Sequence, residues 1–318
     1  MIWFDVLVLL GSLFVLTKSG GWVVEHSVRL SRLLGVSTFS IGFILVSVST
    51  SLPELGVAIF STAQSIPGLS AGDVLGANLT DLTLILGLCA IFGGTIYLKK
   101  KELMGLIELL FITSLVTVLI FRSAQLLPFT GLVLLALFAF LLFRLYKRGR
   151  VPQEVFDGVK EKRTGAFLRL AGSLVLLLGA SYFLVSSARS ITLALNMAPT
   201  LVGATVVALG TTLPELTVEL RAVRKKQYAL ALGDLFGSAV TNFTLVLGTL
   251  SIINIGAPRI EVKPLLGLLP IFFMTLFFIW FTLSKQGKIT KRDGFVLCGL
   301  YALFLVEELG LPALMGAL

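Results

Sequence analysis

The chain alternates between long apolar blocks and short polar breaks. The blocks mostly run 18–24 residues, and about 20 residues of helix cross the hydrocarbon core of a bilayer. Ten spans are predicted, at residues 2–31, 37–62, 70–92, 103–121, 126–146, 165–190, 198–222, 228–253, 264–284 and 292–312. In lipid each span must satisfy its own backbone hydrogen bonds, which selects helix. The short alternating segments of a membrane barrel are absent. Pro128, Pro199 and Pro264 fall near predicted span starts, where a missing N–H is tolerated.

Composition agrees. Hydrophobic residues make up 56% and charged residues only 14% of the chain, with a mean hydropathy of +0.99. A soluble domain of this length needs far more polar surface. The net charge of +9 raises nucleic acid as a partner, but the distribution of charge points to a lipid bilayer instead. With the N-terminus outside, the inner loops and span ends carry 21 lysines and arginines and the outer ones four. Basic residues concentrate on the cytoplasmic side of membrane proteins. This places a multi-pass protein in the cell (plasma) membrane with both termini extracellular. Residues 147–164, the only sizeable polar segment, become a basic cytoplasmic linker. Cys89 and Cys298 lie in apolar spans and read as small core residues. Residues 1–17 lack the basic start of a cleavable leader and run on into a longer helix.

The block from Gly42 to Gly87 recurs 161 residues later. At that offset Thr50-Ser51-Leu52-Pro53-Glu54 falls on Thr211-Thr212-Leu213-Pro214-Glu215. Gly72-Asp73 falls on Gly233-Asp234, Gly76 on Gly237, Thr80 on Thr241 and Leu86-Gly87 on Leu247-Gly248. The chain therefore divides into a first five-helix repeat at 1–146, with its duplicated block at 37–92, the linker 147–164, and a second five-helix repeat at 165–318, with its block at 198–253. Five is odd, so the second repeat enters the membrane with the opposite orientation. The predicted fold class is an all-α integral membrane protein with ten transmembrane helices in two inverted five-helix repeats. Secondary transporters built this way bind ions near the midplane, where discontinuous helices meet.

The duplicated blocks carry the candidate chemistry. Pro53 and Pro214 remove an amide donor inside a span and break or kink the helix. The freed carbonyls lie beside the hydroxyls of Thr50, Ser51, Thr211 and Thr212. Thr50 and Glu54 share one helix face, as do Thr211 and Glu215. An all-oxygen set of this kind suits a hard cation such as Ca2+. A carboxylate at the bilayer centre costs at least about 2.5–3.5 kcal/mol on insertion scales, so duplicated ones need a compensating charge. Asp81 and Asn242 occupy equivalent positions further on. Ser238 precedes Asn242 by one turn, where the first repeat has Ala77. Glu54, Glu215 and Asp81 thus offer three negative charges to a divalent ion or to two or three monovalent ones. The bland alternative for the glutamates is a protonated interhelical contact, and for Asp81 a hydrogen-bonded packing residue. Asp73 and Asp234 are expected at the starts of their helices, as caps favoured by the macrodipole or as an ion-entry or proton-linked site. His26 reads as an interfacial or packing residue. Lys18 has no account from the sequence.

The T-(S/T)-L-P-E and G-D-x-x-G-(A/S) blocks resemble the two repeats of the cation/Ca2+ exchanger superfamily, particularly compact prokaryotic Na+/Ca2+ exchangers. The resemblance implies a ten-helix inverted-repeat fold with alternating access, in which spans one and six slide across the core. Glu54 and Glu215 would be shared ligands for Ca2+ and Na+. Thr50 and Thr211 would add calcium ligands, with backbone carbonyls near Ser47 and Ala208. Ser51, Thr212 and Ser238 would line flanking Na+ sites. Three departures from the family pattern stand out. Asp81 and Asn242 exchange the usual order of Asn and Asp, which keeps the total charge. Ala77 replaces a usual Ser. Asp73 and Asp234 replace the common Asn after Gly.

The leading reading is an antiporter exchanging Ca2+ for Na+, with these as transported ions and no organic cofactor or obligate protein partner. An H+-coupled antiporter for Ca2+ or another divalent ion keeps the fold and substitutes protons for Na+. A passive channel is a further alternative. A remote one is an intramembrane aspartyl protease, since Gly233-Asp234 resembles its Gly-Asp motif. The Tyr-Asp partner motif of such a protease occurs in no span.

Overall fold

The computed structural model describes residues 2–33, 46–97, 107, 110–112, 114–115, 128–148, 163–254 and 263–315. Most of the span predicted at 103–121, the start of that at 37–62, and linker residues 149–162 lie outside the described residues. Within them the chain is almost wholly helical. Two long helices, α1 (Ile2–Leu33) and α7 (Arg163–Leu195), pack along each other. Both extend past their predicted ends. Leu16, Val23, Leu184 and Val185 are buried between them and the core. Trp3, Phe4 and Phe14 on one, and Val175 and Phe183 on the other, are exposed. Large apolar side chains left outside a helical bundle suit lipid as solvent. His26 Nδ1 meets Ser173 Oγ at 3.2 Å across the pair, a packing contact as expected. Lys18 places Nζ 5.7 Å from the centre of the Phe14 ring, a cation–π contact that gives this in-span lysine a partner.

The predicted breaks appear in both halves. Helix α2 (Ser47–Thr50) stops at Ser51, and α3 (Leu52–Ala63) restarts with Pro53 in its first turn. In the second half α8 (Pro199–Val202), a π turn at Gly203–Val207 and α9 (Ala208–Thr211) lead to the break at Thr212, and α10 (Leu213–Arg224) follows. The two segments on either side of that break are bent by 42°. The cause is local. Pro53 and Pro214 have no N–H for the carbonyls of Ser49 and Gly210.

The next span runs Pro67–Gly93 as α4 (Pro67–Thr80), a π turn at Asp81–Ile85, and α5 (Leu86–Gly93). Its counterpart is α11 (Tyr228–Thr241), a π turn at Asn242–Val246, and α12 (Leu247–Ile253). Threonines bond back one turn at matching positions. Thr80 and Thr241 each donate at 2.8 Å to Gly76 and Gly237, and Thr83 and Thr244 donate to Leu79 and Val240. Such back-bonding bends a helix, and a π turn relieves the register; single π turns gather at functional sites.

These central helices touch backbone to backbone. A Cβ added to Gly72 would lie 2.1 Å from the Thr200 carbonyl oxygen, one on Gly76 2.1 Å from that of Ala204, and one on Gly203 2.0 Å from that of Leu69. Glycine is the residue that permits this approach, which draws the first half's α4 against the second half's broken helix. Gly20 of α1 does the same over the breaks, with Pro214 Cγ at 2.8 Å and Pro53 Cγ at 3.8 Å from an added Cβ. Around this centre lie α6 (Pro128–Arg148), α13 (Lys263–Leu266), α14 (Leu268–Gln286) and α15 (Lys291–Met315). Pro128, Pro199 and Pro264 stand at or next to the first residue of their helices, as predicted. Two short strands, β1 (Ile96–Tyr97) and β2 (Lys288–Ile289), pair antiparallel with Ile96 opposite Ile289. They bring the ends of the Pro67–Gly93 and Leu268–Gln286 spans together. Cys89 and Cys298 are both free thiols.

Candidate ion-binding site

Six carboxylates are buried at the centre: Glu54, Asp73, Asp81, Glu215, Glu219 and Asp234. Among the described residues no lysine or arginine is buried with them. Each comes from a broken helix or from the π-turn span beside it. Glu54 and Glu215 sit in the first turn after each break. Asp81 opens one π turn and Asn242 the other.

Reciprocal contacts tie the halves. Thr50 Oγ1 lies 3.3 Å from Asp234 Oδ1 and 2.7 Å from Ser238 Oγ. Thr211 Oγ1 donates to Asp73 Oδ1 at 3.1 Å. At the repeat offset Thr50 corresponds to Thr211 and Asp73 to Asp234, so these are one contact made twice. Both hydroxyls also reach the carbonyl three residues back, Ser47 O at 3.1 Å and Ala208 O at 3.2 Å. Thr212 Oγ1 donates to Ala208 O at 2.9 Å, whereas Ser51 Oγ is buried without a partner. Asn78 spans the centre. Its Nδ2 donates to the Ala239 carbonyl at 3.3 Å, and its Oδ1 accepts from Asn242 Nδ2 at 3.0 Å. Ala239 is the repeat equivalent of Asn78, so this contact joins matching positions of the two repeats.

The carboxylates are poorly served by the protein. Both oxygens of Glu54, Asp81 and Glu219, and one each of Asp73, Glu215 and Asp234, have no hydrogen-bond partner. Glu54 lies near the Thr211 hydroxyl, which is given to Asp73 instead. Asp81 sits in the field of Glu54, Asp234 and Asp73, and Glu215 in that of Glu54, Asp81 and Asp234. Unpaired buried charge of one sign is costly, and bound cations or protons are what remove the cost. Among the described residues no three acidic, histidine or cysteine side chains form a finished metal cage. An ion here must therefore draw on hydroxyls and carbonyls as well as carboxylates, the mixed oxygen set that hard cations accept.

The structure corrects one expectation. Asp73 and Asp234 are not helix caps. Their helices begin at Pro67 and Tyr228, so each aspartate lies well inside its helix, wholly buried and facing a threonine of the other half. Sequence reasoning also passed over Glu219 and Asn78. Glu219 stands one turn beyond Glu215, but the repeat places Ala58 at the equivalent position, and duplication had been the guide.

A family model described as sodium/calcium exchanger protein matches residues 4–147 and 165–308. The chain belongs to this family. An uncharacterized membrane protein of Methanocaldococcus jannaschii is 31% identical over 91% of this chain and 93% of its own length. The sodium/calcium exchanger MaX1 of Methanosarcina acetivorans is 27% identical over 96% of this chain and 99% of its own. Among solved structures, the sodium-calcium exchanger NCX_Mj soaked with 10 mM Na+ and zero Ca2+ matches with a TM-score of 0.68. It is 27% identical, covering 96% of this chain and 99% of that one. The family is one of membrane transporters, not enzymes, and the protease reading of Gly233-Asp234 is set aside.

Exchanging the charge between the halves tests whether position matters. In the pair Asp81→Asn with Asn242→Asp, the buried charge is conserved and the Asn78 amide can rotate to serve its new neighbours. Calcium flux in reconstituted vesicles is expected within about tenfold of wild type, the scale of one rearranged hydrogen bond. Loss of all flux in folded protein would show that the charge must sit on the first half.

Proposed function

We propose that this exchanger moves Ca2+ against Na+ by alternating access at a midplane site. Glu54 and Glu215 are the shared ligands and Asp81 the third charge. Thr50 and Thr211 contribute oxygens, as do the backbone carbonyls near Ser47 and Ala208. Ser51, Thr212 and Ser238, with Asn242 beside them, line the flanking Na+ positions. The architecture we propose is ten spans in two inverted repeats, with both termini outside and residues 147–164 in the cytoplasm. The β1–β2 pairing supports it, because that topology puts residues 96–97 and 288–289 on the same side. The observation that carries the reading is the reciprocal Thr50–Asp234 and Thr211–Asp73 contact, which makes one site from two halves. Ligands that bridge both halves couple binding to their relative position, since an ion shifts a conformational equilibrium only by differential affinity. Helices α1 and α7, with lipid-facing surfaces and Gly20 over both breaks, are the elements we assign to slide.

The six buried carboxylates also favour H+ as counter-ion, because a proton neutralises a desolvated carboxylate as a sodium ion does. Calcium-loaded proteoliposomes separate the two. Collapse of the Na+ gradient by a sodium ionophore should stop Ca2+ flux, and a protonophore should leave it intact. The reverse pattern establishes proton coupling, and flux insensitive to both with unitary currents establishes a channel.

A further inference from the structure

The two flanks of the site are chemically unequal. Beside Asp73 lies the Thr211 hydroxyl of the second half, but the first half's Ala77 and Ala58 supply no side-chain oxygen. Beside Asp234 lie Thr50 Oγ1 and, bonded to it, Ser238 Oγ, and Glu219 lies against Asp234 from the next helix. Glu219, Asp234 and Ser238 are all wholly buried. Neither oxygen of Glu219 nor Oδ2 of Asp234 meets a hydrogen-bond donor among the described residues. Two buried carboxylates side by side, with oxygens that meet no donor and two hydroxyls beside them, form a hard-cation donor set.

We infer that Glu219 and Asp234, with the hydroxyls of Thr50 and Ser238, form a cation subsite adjacent to the Glu54–Glu215 pair and unmatched in the first half. Its ligand is a hard, oxygen-seeking cation, Na+ or Ca2+. The class of ion rests on the exchange reading, but occupancy is measured without transport. A single Ca2+ at the shared glutamates leaves most of the six buried carboxylates uncompensated, and this subsite is where the next positive charge sits. Because Thr50 belongs to the first half and the carboxylates to the second, the cation also joins the halves, making the transport cycle asymmetric between its two flanks.

Equilibrium binding of 45Ca2+ and, separately, 22Na+ to the purified full-length protein tests this. The Glu54→Gln/Glu215→Gln variant is expected to retain one bound cation per chain. Adding Glu219→Gln should weaken that binding by about tenfold or more, as removal of a charged ligand does. The isotope retained distinguishes Ca2+ from Na+. Glu219→Ala, which installs the residue the first half already has, should behave alike, and size-exclusion profiles and melting temperatures verify folding. The inference is overturned if the double variant retains no cation, or if Glu219→Gln changes neither stoichiometry nor affinity. It is also overturned if infrared spectra show a protonated Glu219–Asp234 pair indifferent to cations. Normal transport by Glu54→Gln/Glu215→Gln would sink the shared-glutamate reading and leave this subsite standing.

Discussion

Calcium flux through Glu54→Gln is expected to fall by about 10- to 100-fold, the effect of losing one charged ligand worth roughly 1.5–3 kcal/mol, and the same holds for Glu215→Gln. The double variant should show none above empty vesicles. Both side chains are wholly buried, and neither oxygen of Glu54 is spent on a protein hydrogen bond. Glutamine keeps the volume and breaks no such bond of Glu54, so the fold should survive. Removing one of six like charges from the core should leave the melting temperature of the cation-free protein unchanged or raised, because an unpaired buried charge is a cost to folding. The rise in melting temperature on adding Ca2+ should shrink, since a ligand stabilises only a state it binds. Near-normal 45Ca2+ flux in both single variants would end the assignment. A collapse of the cation-free melting temperature would show instead that these groups hold the fold together.

Folded protein should be nearly lost in Gly72→Val. An added Cβ at this position lies 2.1 Å from the Thr200 carbonyl oxygen and 2.9 Å from the Ala204 nitrogen. Both are backbone atoms of the helical segment packed against α4, so neither can swing away as a side chain can. Overpacking a tight contact costs about 1–3 kcal/mol, and this one also pries α4 from the segment carrying Ala208 and Thr211. Gly72→Ala should show the same defect in milder form and should lower flux even where protein survives. Gly21→Ala is the control, because nothing lies within 4 Å of the Cβ added there. In a helix that change is expected to be neutral or slightly stabilising. Monodisperse yield and melting temperature after extraction decide it. Equal behaviour of the two positions would mean that the close crossing of the halves is not needed.

The described helices and the breaks in them were legible because they depend on neighbours along the chain. Uninterrupted apolar stretches near membrane length gave the helices, and Pro53 and Pro214 gave the interruptions, each through a backbone group missing at a known place. The start of α4 was misjudged by three residues although Pro67 marked it, and this was enough to mistake Asp73 for a cap. Asp234 lies equally deep in its helix although that start, at Tyr228, agrees with the predicted one. Glu219 escaped for a different reason. Internal duplication reveals what both halves share and hides what only one possesses.

Local chemistry along the chain was sufficient to single out hydroxyl and carboxylate side chains beside broken helices. It could not pair them. Thr50 meets Asp234 across 184 positions and Thr211 meets Asp73 across 138. Those partners are chosen by helix rotation and by glycine contacts between halves. On a helix buried all round, every face is apolar enough to turn inward, so hydrophobic pattern does not say which face meets which. Only the packed bundle fixes that rotation, and with it the gathering of six acidic side chains around one centre.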